Sequence, residues 1–302
     1  MQSIDADVAI IGAGPAGLQS AIHAARRKVK TVVIGRPDQG ALVKAQIENY
    51  FGIPRIKGQK IVSIGLEQAK KAGAKIYEED VLKAEKVGDK FVLHTDHETE
   101  FTAKAVILAL GISRMRLNAE GEKEFLGRGV SYCAACDANF FKGKKVAVVG
   151  NDSMAAISTV LLTNVASDVY WVTKEPTVAP PLLEKVIATK AQVVKAAWPK
   201  KIEGDQRVRK IMLDDGRVLD VDAVFIELGA KGSADLALEL GIIPDPNGLI
   251  SVNAKMEAEV PGIYAAGDVT GRPWQLARAV GQGCIAGTNA ANFVLYGAGE
   301  PE

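Results

Sequence analysis

Short runs in which every residue is apolar set the framework of this chain. Val8-Ala9-Ile10-Ile11, Val32-Val33-Ile34, Ala105-Val106-Ile107-Leu108 and Val146-Ala147-Val148-Val149 are rich in β-branched residues and end near glycines. Strands of that composition are buried on both faces, as in a parallel sheet. The first, over Asp7–Ile11, leads into a helical stretch over Pro15–Lys28 and a second strand over Thr31–Ile34. This is a βαβ unit, and its crossover should be right-handed. A second unit starts at Lys145–Gly150 and continues through a helix near Ser153–Asn164 to a strand over Val169–Val172. Elsewhere the pattern predicts strands over Val81–Lys86, Phe91–His94, Ala105–Leu110 and Val224–Leu228. A hairpin joins Val208–Leu213 to Val218–Val221 through Asp214-Asp215-Gly216. Turn-rich Ile243–Gly248, the segment Ile263–Asp268 and a last helix over Gln275–Tyr296 complete the reading.

Two βαβ starts separated by more than a hundred residues imply an α/β fold of two doubly wound, Rossmann-like, three-layer domains. The Gly267-Asp268 segment suits the first of them, so the second is expected to be inserted into it. The expected bounds are 1–113 with 244–302 for the first domain and 114–243 for the second. Length and composition agree: 302 residues, 48% hydrophobic and 24% charged, describe a globular protein able to bury two cores. A net charge of +1 with mixed signs gives no reason to expect nucleic acid or an anionic membrane surface. No apolar run reaches the roughly 18 residues that span a bilayer. Asp5 and Asp7 precede a short apolar run, which argues against a signal peptide, and cytoplasm is the expected compartment.

Gly12-Ala13-Gly14-Pro15-Ala16-Gly17 fits G-x-G-x-x-G between a strand and a helix. Gly12 permits the tight turn, Gly14 lets the backbone approach a pyrophosphate, and Gly17 lets helix and strand pack closely. The helix N-terminus adds free N–H groups and partial positive charge. The acid that usually holds the ribose hydroxyls is replaced by Gly35, with Arg36 next to it, which weakens an NAD reading of this site.

Cys133-Ala134-Ala135-Cys136 is the other chemical feature. A zinc site needs four ligands, and Cys284, His23, His94 and His97 do not stand at matching spacing, so no metal is expected. Inert buried cysteines remain an alternative, but the spacing and Asp137 alongside favour a dithiol/disulfide couple with a proton carrier.

Through these segments the chain resembles the low-molecular-weight thioredoxin reductase family of flavoproteins over essentially its full length. Further matching segments are Gln39-Gly40-Ala41-Leu42, Ile47-Glu48-Asn49-Tyr50, Leu110-Gly111, Gly129–Asp137, Gly262–Asp268 and Ala279–Cys284. The resemblance implies a bound FAD, with Asp268 on its ribityl chain and Gln275 and nearby backbone around the isoalloxazine. It places Gly12, Gly14, Pro15, Ala16, Gly17, Gln39, Gly40, Leu42, Asn49, Gly111, Gly267 and Leu276 in the cofactor site. Trp274 is placed equally well to lie by the flavin or to pack in a core or interface. The resemblance further implies catalytic Cys133, Cys136 and Asp137, with Cys136 facing the flavin and Cys133 attacking the disulfide of thioredoxin or a thioredoxin-like protein. It also implies a homodimer.

The second glycine motif departs from that family. In Gly150-Asn151-Asp152-Ser153-Met154-Ala155 an acid stands where a glycine would admit a pyrophosphate. Two like charges about 5 Å apart cost roughly 3 kcal/mol at an effective dielectric of about 20. Beyond the next strand, Lys174 beside Glu175 offers no arginine pair for a 2′-phosphate. Ordinary NADPH use is therefore not expected. Reduced ferredoxin, a deazaflavin or NADH are the alternative donors, and a flavin-binding scaffold or sensor without turnover is the rival from another class.

Overall fold

All four apolar runs lie in parallel sheets of the computed structural model. It describes residues 2–111, 117–132, 134–228, 232–245 and 248–297, and of Ala41, Lys44 and Cys136 the backbone alone. The chain forms two units, Met1–Ile112 with Gly232–Glu302, and Ser113–Lys231.

In the first unit, Val8–Ile11, Thr31–Ile34 and Ala105–Leu108 are buried throughout, with Ile10 opposite both Val33 and Ile107. Ile263–Ala265 and Lys75–Tyr77 pair in parallel at the two edges of this five-stranded sheet. Alternate side chains point to opposite faces of such a sheet. Val8, Ile10, Val33 and Ile107 share one core with Leu18, Val62 and Ala290, from the helices Pro15–Arg26, Gly58–Ala72 and Leu276–Tyr296. Ala9, Ile11, Val32, Ile34 and Leu108 share another with Val81, Phe91, Leu93 and Phe101 of a second, four-stranded sheet.

The second unit repeats the plan. Val130–Ser131, Ala223–Ile226, Lys145–Val149, Asp168–Val172 and Gln192–Val194 form a parallel sheet in that order. Ala147, Val149, Val172 and Ile226 share a core with Ile202, Ile211 and Leu213 of the antiparallel sheet Pro199–Gly204, Val208–Leu213 and Val218–Asp220. The anticipated hairpin is there, with Ile211 opposite Leu219. On the other face lies the helix Ser153–Thr163, and Phe141 meets Phe225 edge to face with centroids 5.6 Å apart.

Both units are thus three-layered around a parallel sheet. In each, one outer layer is a second sheet rather than helices, antiparallel in the second unit and mixed in the first, where Gln2–Asp5 pairs in parallel with Thr99–Ala103. The boundary expected at 243/244 needs correction, because the first unit resumes at Gly232. Leu236, Ala237 and Leu240, on and beside the helix Ser233–Glu239, are buried in the first unit's core. Glu239 also accepts the Ala84 N–H at 3.0 Å. Ser113 and Arg114, at the other expected boundary, lie outside the described residues.

Candidate functional site

The first glycine loop has the shape its sequence requires. Gly12 sits at φ +114°, and a Cβ there would lie 2.4 Å from the Ala109 carbonyl oxygen, so only glycine fits. Gly17 is equally confined, its added Cβ falling 1.8 Å from the Gly12 oxygen. Gly14 is the exception: a Cβ there would meet nothing within 4 Å. It stands at the N-cap of the helix Pro15–Arg26, which starts with proline and has no side-chain cap. A helix N-terminus of this kind is where a phosphate binds most favourably.

The missing ribose acid has a steric reason. A Cβ at Gly35 would sit 2.9 Å from the Ala13 nitrogen, so the loop and the end of the second strand touch through backbone. Arg36 is committed elsewhere. Its guanidinium bonds the Asp96 carboxylate at 2.7 Å and that of Asp80 at 3.3 Å, and the Asp96 side chain is fully buried. Burial works against the Arg36 charge, but the two carboxylates outweigh it and raise the pKa above its usual value. Arg36→Ala should remove the cation shared by two buried carboxylates and lower stability by about 3 kcal/mol, measured as a fall in urea midpoint at unchanged slope.

Residues from distant segments converge beyond this loop. Asn49 donates from Nδ2 to Gln275 Oε1 at 2.9 Å, joining two residues singled out from separate motifs. Gln275 caps the last helix, which Leu276 opens. Gly267, at φ +87°, brings its backbone to Ala16, and its N–H donates to Gln282 Oε1 at 2.9 Å. Asp268 follows. Burial raises its pKa, Arg278 pulls it the other way, and the carboxyl takes no hydrogen bond among the described residues. A half-buried acceptor of this kind suits a ligand's hydroxyl groups.

Gly40 caps the short 3₁₀ turn Ala41–Lys44, in which Leu42 packs on the helical-side core, and Gln39 just before it is exposed. Gly111 stands at φ +69° beyond the third strand, where its carbonyl accepts from Ser233 Oγ. Trp274 is 48% exposed, with the Arg272 guanidinium 4.3 Å from its ring centre, so it is not a core residue of this chain. Sequence reading missed Arg278, whose Nη2 donates to Thr270 Oγ1 at 2.9 Å and whose Nη1 reaches the Gly267 carbonyl, bracing the Gly267–Gly271 turn. Its position beside a glycine-rich helix start gave no signal.

Cys133 lies outside the described residues, and of Cys136 only the backbone is described. That backbone belongs to the one-turn helix Ala134–Asp137. Ser131 Oγ donates to Asp137 Oδ2 at 2.7 Å, and the Ala134 N–H donates to Glu227 Oε1 at 2.8 Å. Glu227 was also missed, because it follows an apolar strand without any motif around it.

The second glycine loop is built to the same plan but closed by its own side chains. A Cβ at Gly150 would lie 1.9 Å from the Glu227 carbonyl oxygen, and Trp171 Nε1 donates to the Gly150 carbonyl at 2.9 Å. Asp152 stands at the N-cap position of the helix Ser153–Thr163 without bonding its N–H groups, and its carboxylate accepts the Thr177 hydroxyl. Asn151 Oδ1 accepts from Thr173 Oγ1 and from the Lys174 N–H, both at 2.9 Å. The Lys174 ammonium lies 5.6 Å from the Trp198 ring centre, and Glu175 beside it is exposed.

Among known proteins, the family model for pyridine nucleotide-disulphide oxidoreductases matches residues 6–283. The thioredoxin reductase of Aquifex aeolicus is 40% identical over 278 residues, covering 87% of this chain and 85% of that protein. The thioredoxin reductase of Bacillus subtilis is 34% identical over 300 residues, 95% of this chain and 94% of the relative. Two crystal structures align over 97% of this chain and 99% of their own. The atypical thioredoxin reductase TRi from Desulfovibrio vulgaris Hildenborough has a TM-score of 0.78 at 30% identity. A ferredoxin-flavin thioredoxin reductase from Clostridium acetobutylicum has 0.69 at 34%.

Proposed function

We propose, from the premise that this chain belongs to the pyridine nucleotide-disulphide oxidoreductases and among them to the low-molecular-weight thioredoxin reductase family, that it is an FAD-dependent reductase of thioredoxin or a thioredoxin-like protein whose electrons do not come from NADPH. The contrast between Gly14 and Asp152 carries the donor half of this reading. One helix N-terminus is left open for an external phosphate, while its counterpart holds a carboxylate and is tied to Thr173, Lys174 and Thr177.

The first unit fits FAD. Gly12, Gly14, Pro15, Ala16 and Gly17 would hold the pyrophosphate, Asp268 the ribityl hydroxyls, and Asn49, Gln275 and Leu276 the ring system. Gln39, Gly40, Leu42, Gly111, Gly267 and Trp274 line the rest of the same site in this reading. Bound there, FAD supplies the two-electron store that amino-acid side chains lack. The disulfide between Cys133 and Cys136 takes up two electrons and two protons as its S–S bond opens. Asp137, held by Ser131, is the near carboxyl for proton transfer. The Cys133 thiolate attacks the partner's disulfide, forming one S–S bond as the partner's own breaks. Cys136 then displaces the partner as a dithiol and restores the Cys133–Cys136 bond.

Among donors, ferredoxin is favoured over NADH or a deazaflavin, because the chain shares its fold and 34% of its aligned residues with a protein described as a ferredoxin-flavin thioredoxin reductase. Anaerobic titration of the yellow protein tests this. Photoreduced ferredoxin should bleach the flavin, and micromolar NADPH should leave it oxidised; rapid bleaching by NADPH would refute the reading of Asp152. The same proposal makes the protein a cytoplasmic homodimer, so its mass by light scattering should be twice that of the chain.

A further inference from the structure

We infer that the groove between the helices Pro15–Arg26 and Gly58–Ala72 is a second ligand site, for a phosphorylated small molecule of nucleotide size. Neither the reductase activity nor the choice of electron donor requires it. The groove is a cavity of about 570 Å³, with Gln19, Ile22, His23 and Arg26 on one wall and Gln68 and Lys71 on the other. Residues three, four and seven positions apart share one face of a helix, so the first four form a single stripe. The volume is in the ordinary range for small-molecule sites. Arg26 ends the helix that Pro15 opens, roughly 16 Å further on at 1.5 Å per residue. The cationic end of the groove is therefore remote from the first glycine loop, and the site is separate from that of FAD.

The chain concentrates positive charge at this place. Both helices lead into neighbouring parallel strands, with Val32 opposite Lys75. Arg26, Arg27, Lys28 and Lys30 thus reach the same end of the sheet as Lys70, Lys71 and Lys75, and all of them are exposed. The acids beside them are Asp5, Asp7 and Glu67, and the first two are engaged by Lys90 and Lys104. Cations therefore outnumber acids here, in a chain whose net charge is +1. Burial, then the charges of Arg27 and Arg26, hold the His23 imidazole below its usual pKa, as expected of a wall whose positive charge is not offset. The chemistry of the lining selects the ligand. Arg26 offers a planar fork and Lys71 a point charge, the two side chains that recognise phosphate best. The amides of Gln19 and Gln68 can donate to and accept from a polar body, and Ile22 gives that body an apolar wall. A neutral or cationic ligand would gain nothing from the two charges.

Calorimetric titration of the protein as purified, with its flavin, by ADP and by adenosine tests the site. ADP should bind saturably, one per chain, at sub-millimolar concentration, and adenosine should give no saturable heat. Arg26→Gln and Lys71→Gln should each weaken ADP about tenfold, the value of one charge-assisted hydrogen bond. Lys144→Gln, an exposed change in the second unit, should leave the affinity unchanged. Because Arg26 and Lys71 are exposed, both variants should fold; if either does not, the charge reversal Lys71→Glu must abolish ADP binding. Absence of saturable ADP binding, or adenosine binding as tightly as ADP, would overturn the inference. So would an affinity that neither substitution moves, which would place ADP at one of the glycine loops instead.

Discussion

Gly14→Asp should give a protein that folds normally and purifies without yellow colour. The substitution copies into the first unit the residue that the second carries at Asp152. Space for it exists, since a Cβ at Gly14 meets nothing within 4 Å. Aspartate is moreover a favourable residue at a helix N-cap, where it accepts from free N–H groups. The fold itself therefore loses nothing, and the urea midpoint should match or exceed that of the unmodified protein stripped of flavin. The loss falls on the ligand, because the new carboxylate stands where the pyrophosphate would meet those N–H groups. Repulsion alone weakens binding about a hundredfold for each phosphate charge within roughly 5 Å, and the occupied N–H groups weaken it further. Gly12→Ala provides the contrast. Its Cβ would collide with the Ala109 carbonyl, so it should lower stability as well as flavin content. Full flavin occupancy in Gly14→Asp, at an unchanged affinity, would show that this loop does not hold the cofactor.

The reverse exchange is not expected to rebuild the second site. Asp152→Gly removes one carboxylate, yet Asn151 still binds Thr173 and Lys174, and the Thr177 N–H still donates to the Asn151 carbonyl at 2.8 Å. The loop following Val172 would remain tied across the helix start. Two loops of one design have thus diverged through several side chains acting together, and the divergence is larger than the one substitution visible as a motif break.

The parallel strands could be read from sequence because burial on both faces demands an uninterrupted apolar run, and Val8–Ile11 or Lys145–Val149 announce themselves by that demand alone. Strands held mainly by pairing give no such sign. Gln2–Asp5 is largely exposed and owes its shape to the register of Ile4 with Phe101. Pro199–Gly204, with two lysines and a glutamate, is a strand because Ile202 pairs with Ile211. The helix Gly58–Ala72 was legible in principle from Val62, Leu66 and Ala69 at helical spacing, but no N-cap side chain marks its start. The site divides in the same way. Glycine positions follow from local geometry and could be placed by motif. The Asn49–Gln275 bond, the Arg278 brace and the Glu227 carboxylate join segments far apart in the chain, and no local pattern encodes them.

Cys136→Ser should abolish reduction of protein disulfides, by on the order of 10³-fold or more, while flavin content stays at the level of the unmodified protein. Serine is close in size to cysteine and sits on a turn whose backbone is fixed from both ends, by Asp137 to Ser131 and by Ala134 to Glu227. The fold should tolerate it. A single remaining sulfur cannot form the internal disulfide, so two electrons can no longer be stored there and passed on. It can still attack. In Cys136→Ser, Cys133 should form a mixed disulfide with an oxidised thioredoxin and fail to release it, because the resolving thiol is gone. That adduct should persist on a non-reducing gel and disappear with dithiothreitol. Cys133→Ser should be just as inactive but accumulate no adduct, which assigns the attacking role to one sulfur and the resolving role to the other. An adduct formed equally by both variants would reverse or merge those roles, and full turnover by either would place the chemistry elsewhere in the chain.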